Sequence, residues 1–117
     1  MVRRGFIYWV DPGQAKGSEI LGPRPYLVLS INQIAYRFRV AIAIPGTTGL
    51  HAIKIDSRVT VRVSAQETGM KADSVFLCHQ IRVLDLSKFD VNPAGTVSPV
   101  TLEKIENAVK FCLGLGL

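Results

Sequence analysis

Arg24 stands between two prolines, in Gly22-Pro23-Arg24-Pro25-Tyr26. A residue before proline is pushed toward extended conformations and proline fixes its own φ, so Gly22 and Arg24 are expected to be held straight. A guanidinium on so stiff a segment suits a bidentate grip on a phosphate. It suits equally a loop brace in which Arg24 pairs with Glu19. Glu19 follows Gly17-Ser18, and its carboxylate can act as a general base, as a clamp on Arg24 or simply as a solvated acid. Thr47 and Thr48 lie in Pro45-Gly46-Thr47-Thr48-Gly49, where hydroxyls usually bond their own backbone but can also reach a substrate. His51 and His79 are the side chains whose ordinary pKa lies near neutrality.

Other chemistries find little support. Cys78 and His79 are neighbours, and on a strand they point to opposite faces, which argues against a shared metal or a Cys-His nucleophile pair. Cys112 falls on the apolar stripe of a helix. No zinc spacing, carboxylate cluster or phosphate loop opening a helix is visible, so no metal and no cofactor is expected. The 14 Lys+Arg against 9 Asp+Glu are unevenly placed. Residues 1–64 hold nine basic and three acidic side chains, a net of +6, whereas 65–117 hold five and six, a net of −1. That asymmetry suggests a basic face and a polyanionic or acidic partner, although an ordinary basic surface would also produce it.

These residues must be carried by one domain, since 117 residues suffice for a single core. Phe6–Val10 reads as a first strand ended by Asp11-Pro12-Gly13, and 14–25 as a glycine- and proline-rich loop. Tyr26–Ile31 is the second strand, 32–36 a short excursion, and Phe38–Ile44 the third strand, broken by Pro45–Gly49. His51–Ile55 and Arg58–Val63 follow as alternating runs with a turn at Asp56-Ser57. Ser64-Ala-Gln-Glu67 before Gly69 matches a capping box for one helical turn. Ser74–Leu84 is the sixth strand, which puts His79 in line with Val75, Leu77 and Ile81, and 88–96 is loop. Ser98-Pro99 starts a helix at about 99–113, with Leu102, Ile105, Val109 and Cys112 at helical spacing. The expected fold is mainly β (α+β): a small curled antiparallel sheet or half-open barrel with short helices and a C-terminal helix. No run reaches membrane-spanning length, no secretory block follows Met1, and two cysteines fit a reducing, cytoplasmic setting.

Several blocks together are similar to the PemK/MazF toxins, the mRNA interferases of toxin–antitoxin systems. They are Arg4-Gly5-x-Ile7-x-Trp9-Val10-Asp11, Lys16-Gly17-Ser18-Glu19, Gly22-x-Arg24-Pro25-x-Leu27-Val28-Leu29-Ser30, Pro45-x-Thr47-Thr48, Gly69-x-x-x-Asp73-Ser74-Val75, Gln80-Ile81-Arg82 and Gly95-Thr96-Val97-Ser98. The resemblance runs essentially from residue 1 to 117 and implies the PemK/CcdB type of half-open, Src-homology-3-like barrel. It also implies a homodimer that cuts single-stranded RNA without a metal, by attack of a ribose 2′-hydroxyl on the adjacent phosphate. By position, Arg24 matches the family's catalytic arginine, Thr47 its catalytic threonine and Glu19 an acidic residue nearby. Lys16, Ser18, Thr48, His51 and Gln80 would contact RNA. Before Gln80 the family usually carries an acid; His79 stands there instead, as an acid or base of the site, as a shift in sequence preference or, at a dimer contact, as a merely structural change. The implied partners are a cognate antitoxin with an acidic, disordered segment and, through the toxin–antitoxin complex, promoter DNA.

Two rivals remain. A gyrase poison on the same fold, as in the related CcdB toxins, needs a particular C-terminal helix end. Phe111-Cys-Leu-Gly-Leu-Gly-Leu lacks that family's terminal tryptophan-glycine-isoleucine. A non-catalytic nucleic-acid module would use the basic face with exposed aromatics such as Tyr26 or Tyr36.

Overall fold

The computed structural model describes residues 1–14, 16–20, 22–48 and 56–116. The aromatic, β-branched run Phe6–Val10 forms β1, paired antiparallel with β2 (Arg24–Val28), which pairs in turn with β3 (Val40–Thr47). The first half of β3 also pairs with β6 (Arg82–Asp85), and its last two residues pair with β5 (Ser74–Leu77). Beyond β5 lies β4 (Thr60–Val63), and β7 (Gly95–Thr96) closes on β1. Among the described residues every pairing is antiparallel, and the eight-residue β3 bends from one set of partners to the other. The result is the curled half-barrel expected from the sequence.

The alternation of strand residues gives this sheet two apolar faces. One carries Ile7, Leu27, Ile44, Val63 and Phe76, and is covered by Ile105, Ala108 and Val109 of α3 (Pro99–Cys112). The other gathers Tyr8, Val10, Tyr26, Val28, Ala41, Ala43, Leu84 and Phe89. Each large side chain enclosed in this way contributes on the order of 1.5–3 kcal/mol. Gly46 is required where β3 bends: a Cβ there would stand 2.8 Å from the Phe76 ring.

The helices follow their caps. Ser98 accepts a hydrogen bond from the Thr101 N–H, and Pro99 occupies the first turn of α3, where its missing N–H is not needed. In α2 (Ala65–Thr68), Ser64 accepts from the Glu67 N–H and Gly69 closes the turn at φ 81°. The Glu67 carboxylate completes no box of its own. It accepts from the Ser98 N–H at 2.9 Å and from the Thr101 hydroxyl at 2.9 Å, so α2 caps α3.

Several expected boundaries move. The segment 32–36 is the start of α1 (Asn32–Phe38), ended by Arg39 at φ 61°, and β3 therefore begins at Val40. Pro45-Gly46-Thr47 continues β3 rather than breaking it. Strand β2 starts at Arg24, inside the expected loop, and stops at Val28. Gly22 is not extended; it adopts φ 77°, which glycine tolerates. The expected strand 74–84 is two strands separated by a 3₁₀ turn at Cys78–Gln80. Residues 95–96 of the expected 88–96 loop form β7, β4 starts at Thr60 rather than Arg58, and the expected strand His51–Ile55 lies outside the described residues.

Candidate functional site

Strand register brings the predicted arginine and threonine to one place. Tyr26 of β2 lies opposite Pro45 of β3, and this is the last paired position at that end of the ladder. Two residues further along each strand stand Arg24 and Thr47. Alternation sets Arg24 with Tyr26 and Thr47 with Pro45 on one face, the face whose apolar part is the Tyr8–Tyr26–Ala43–Leu84 cluster. Arg82 of β6, opposite Ala43, projects from the same face. The second apolar cluster thus ends in two half-buried arginines and a half-buried threonine.

Against this end lies a cleft of about 390 Å³ lined by Lys16, Ser18, Glu19, Ile20, Tyr26, His79, Gln80, Ile81 and Arg82. Its outer wall is the 16–20 loop. Glu19 closes that loop on itself: its carboxylate accepts from the Lys16 N–H at 3.1 Å, and its own N–H donates to the Lys16 carbonyl at 3.0 Å. Gln80 ties the loop to the sheet, donating to the Ser18 carbonyl at 3.2 Å and accepting from the Ile20 N–H at 3.0 Å. Both ends of the Gln80 amide are therefore engaged with backbone. The 3₁₀ turn that places Gln80 also turns Cys78 into the core and His79 outward, where it is exposed. His79 is thus neither on a strand nor buried.

Tyr26 is fully enclosed, and its hydroxyl has no hydrogen-bond partner of ordinary geometry among the described residues. Burial pushes its pKa up; the nearby Arg82 and Arg24 guanidinium groups pull it down less strongly, and Glu19 adds a small upward push. The phenol is accordingly neutral at physiological pH. Burial, with a smaller contribution from Cys112, pushes the Cys78 thiol up to about 12, so it is no nucleophile at neutral pH. Among the described residues no three His, Cys, Asp or Glu side chains converge on one point.

The cleft thus brings together Lys16, Ser18, Glu19, His79 and Gln80 of the predicted set. Arg24 and Thr47 sit at the adjoining strand ends rather than in its lining, with exposed Thr48 just beyond, and His51 lies outside the described residues. Sequence reasoning gave no role to Tyr26 as a floor residue or to Arg82. The available signal was spacing: Tyr26 follows Arg24 by one strand period, and Arg82 ends Gln80-Ile81-Arg82. A larger cleft of about 530 Å³ between β4 and α3 is lined by Arg58, Arg62, Lys104 and Phe111. Two of its cations are already paired, Arg58 with Asp56 at 3.2 Å and Arg62 with Asp73 at 3.3 Å, so it offers less to an anion.

The model of the PemK-like, MazF-like toxins of type II toxin–antitoxin systems matches residues 3–113. The chain belongs to this family. Among relatives of this PemK/MazF chain, endoribonuclease EndoA of Bacillus subtilis is 31% identical over 116 residues, covering 98% of this chain and 97% of its own. Endoribonuclease MazF of Staphylococcus saprophyticus is 29% identical, with 98% and 93% covered. The crystal structure of MazF from Deinococcus radiodurans matches the fold with a TM-score of 0.81 at 21% identity, over 97% of both chains. A mycobacterial endoribonuclease in complex with its cognate antitoxin matches at 0.78 and 22% identity, over 100% of this chain and 99% of that one. Among the described residues no helix is long and apolar enough to cross a membrane.

Proposed function

We propose that this PemK/MazF chain is a sequence-specific toxin endoribonuclease that cuts single-stranded RNA without a metal ion. The observation that carries the reading is the shared register end of β2 and β3, which sets Arg24 and Thr47 on one face beside a cleft walled by Lys16, His79 and Arg82. RNA supplies its own nucleophile, so the protein need only position it, move protons and stabilise charge. The ribose 2′-oxygen attacks the adjacent phosphorus and loses its proton. The bond from phosphorus to the 5′-oxygen breaks, and that oxygen takes up a proton. The products are a 2′,3′-cyclic phosphate and a 5′-hydroxyl.

In this scheme Arg24 faces the non-bridging oxygens and neutralises the charge that develops on them, while the Thr47 hydroxyl donates to one of them or handles the 2′-hydroxyl proton. His79, exposed on the cleft wall, exchanges protons with the reacting oxygens. Glu19 shapes the loop that carries Lys16 and Ser18, and these, with Thr48 and His51, contact neighbouring nucleotides. Gln80 holds that loop in place.

The chain works as a homodimer in the cytoplasm, arrests growth by destroying messages, and is neutralised by an acidic antitoxin segment that folds onto the basic face. Together with that antitoxin it binds promoter DNA.

Removing an oxyanion-type donor costs roughly 3–4 kcal/mol, or on the order of 10²–10³ in rate. Arg24→Ala and Thr47→Ala should each lose that much cleavage of a single-stranded RNA while retaining the fold. Variants that cut at wild-type rates would refute the assignment.

A further inference from the structure

Among the described residues the ion pairs are Arg4–Glu106, Arg58–Asp56 and Arg62–Asp73, and Arg82 belongs to none of them. Arg3, Arg37 and Arg39 are exposed to water; Arg82 is half-buried in the cleft wall. A partly desolvated guanidinium without a carboxylate is a site prepared for an anion from outside. Beneath it lies Tyr26, whose enclosed hydroxyl also lacks a partner of ordinary geometry among the described residues. The Arg82 guanidinium exerts the largest charge effect on that hydroxyl, with Arg24 next.

The strands fix the spacing. Tyr26 is one β-period from Arg24 along β2, a displacement of about 7 Å. That is comparable to the step between successive phosphates of an extended strand. Arg82 starts one period further on, opposite Ala43 of β3 and so level with Val28, and its long side chain leans back to the Tyr26 hydroxyl, on which its charge acts most strongly. The Arg24 and Arg82 guanidinium groups thus both approach the Tyr26 hydroxyl, and a backbone with one phosphate at Arg24 brings its neighbour within reach of Arg82.

We propose that Arg82 forms a second phosphate subsite, gripping the RNA phosphate next to the scissile one, with Tyr26 as the positioning residue that holds the guanidinium in the cleft. This rests on the reading of single-stranded RNA as substrate. Tyr26 does not touch the RNA; its neutral phenol offers a fixed hydrogen-bonding oxygen below the guanidinium and blocks the collapse of Arg82 onto the apolar face. Arg82 adds no chemistry to the cleavage step. It sets which phosphate enters the Arg24–Thr47 corner.

The test is binding of a fluorescein-labelled, fully 2′-O-methylated RNA oligonucleotide, which cannot be cut, measured by anisotropy across a salt series. For a single strand, each neutralised phosphate contributes about 0.7 to the slope of log Kd against log salt. Arg82→Gln should lower that slope by about 0.7 and weaken binding about tenfold at low salt, whereas Arg82→Lys should keep the slope. Tyr26→Phe should keep the slope too, and should raise KM for a cleavable RNA several-fold with kcat little changed. A wild-type slope in folded Arg82→Gln, or a lowered slope in Arg82→Lys, overturns the proposal. It is overturned equally if Arg82→Gln weakens a poly-glutamate competitor and leaves RNA binding intact, or if Tyr26→Phe lowers kcat and KM effects are absent. Because the probe is uncleavable, a wild-type protein that binds it with the Arg82 increment but never cuts RNA sinks the nuclease reading and leaves this subsite standing.

Discussion

Gln80 offers the sharpest separation between a side chain that touches substrate and one that positions other groups. Its amide makes two hydrogen bonds to the 16–20 loop, one to the partly buried Ile20 N–H at 3.0 Å and one to the exposed Ser18 carbonyl at 3.2 Å. A net hydrogen bond is worth about 1 kcal/mol, less where water competes. Gln80→Leu should therefore weaken docking of the loop by roughly 1.5–2 kcal/mol, a factor of about 10–30 in the ratio of docked to undocked loop. Global stability should change little, since the residues of this loop from Lys16 to Glu19 are exposed. Hydrogen exchange of the Glu19 and Ile20 amides should accelerate by about the same factor, and kcat/KM for RNA should fall in proportion to the docked fraction. Gln80→Glu keeps an acceptor for the Ile20 N–H and loses the donor to Ser18, so its effect on exchange should be intermediate. If Gln80→Leu abolishes cleavage while the loop amides exchange at wild-type rates, Gln80 acts on RNA directly and the positioning argument is wrong.

Three further outcomes follow from the packing and the titrating groups. Gly95→Ala puts a Cβ 2.6 Å from the Thr68 backbone carbonyl, which no rotamer relieves; stability should drop by about 1–3 kcal/mol, readable as a lower urea midpoint. The Ser98 N–H, and secondarily the Thr101 and Ser98 side chains, hold the Glu67 carboxylate below its usual range against a weaker upward push from desolvation. Its stabilisation is thus present above the ordinary carboxylate pKa and lost as pH falls through the depressed folded value, so the thermal-midpoint gap between wild type and Glu67→Ala should shrink steadily on acidification below about pH 5. With its thiol pushed up to about 12 and fully enclosed, Cys78 should remain unmodified by iodoacetamide at pH 7 in the folded protein, as read by peptide mass mapping.

Much of this arrangement could be read from residues because the signals were local. The run Phe6–Val10, the cap Ser98-Pro99 and the Ser64–Gly69 turn each specify their own element, and each appears where expected. The misplaced boundaries have tertiary causes. Pro25 and Pro45 look like strand breakers, yet both sit where the β2–β3 ladder ends, so little pairing is lost to the missing N–H groups. Helix α1 buries only Ala35 and has no side-chain cap, which leaves no amphipathic pattern to detect. The alternation through 74–84 concealed the turn at Cys78–Gln80 because both strand phases there mix apolar and polar groups.

The corner formed by Arg24 and Thr47 was legible for a different reason. Two prolines fix the backbone around the arginine, and the order of blocks along the chain carried the rest. Arg82 and the buried hydroxyl of Tyr26 were not legible as a pair, since they come from β6 and β2 and meet only through β3.

Cleavage without a metal requires RNA to act as its own nucleophile at the Arg24 corner. Its most direct test is digestion of a 5′-labelled single-stranded RNA by the purified chain in excess EDTA, with analysis of the new ends. Discrete cuts bearing 2′,3′-cyclic phosphate and 5′-hydroxyl ends, absent with Arg24→Ala, are predicted. Intact RNA, or fragments ending in 3′-hydroxyl and 5′-phosphate, would contradict it.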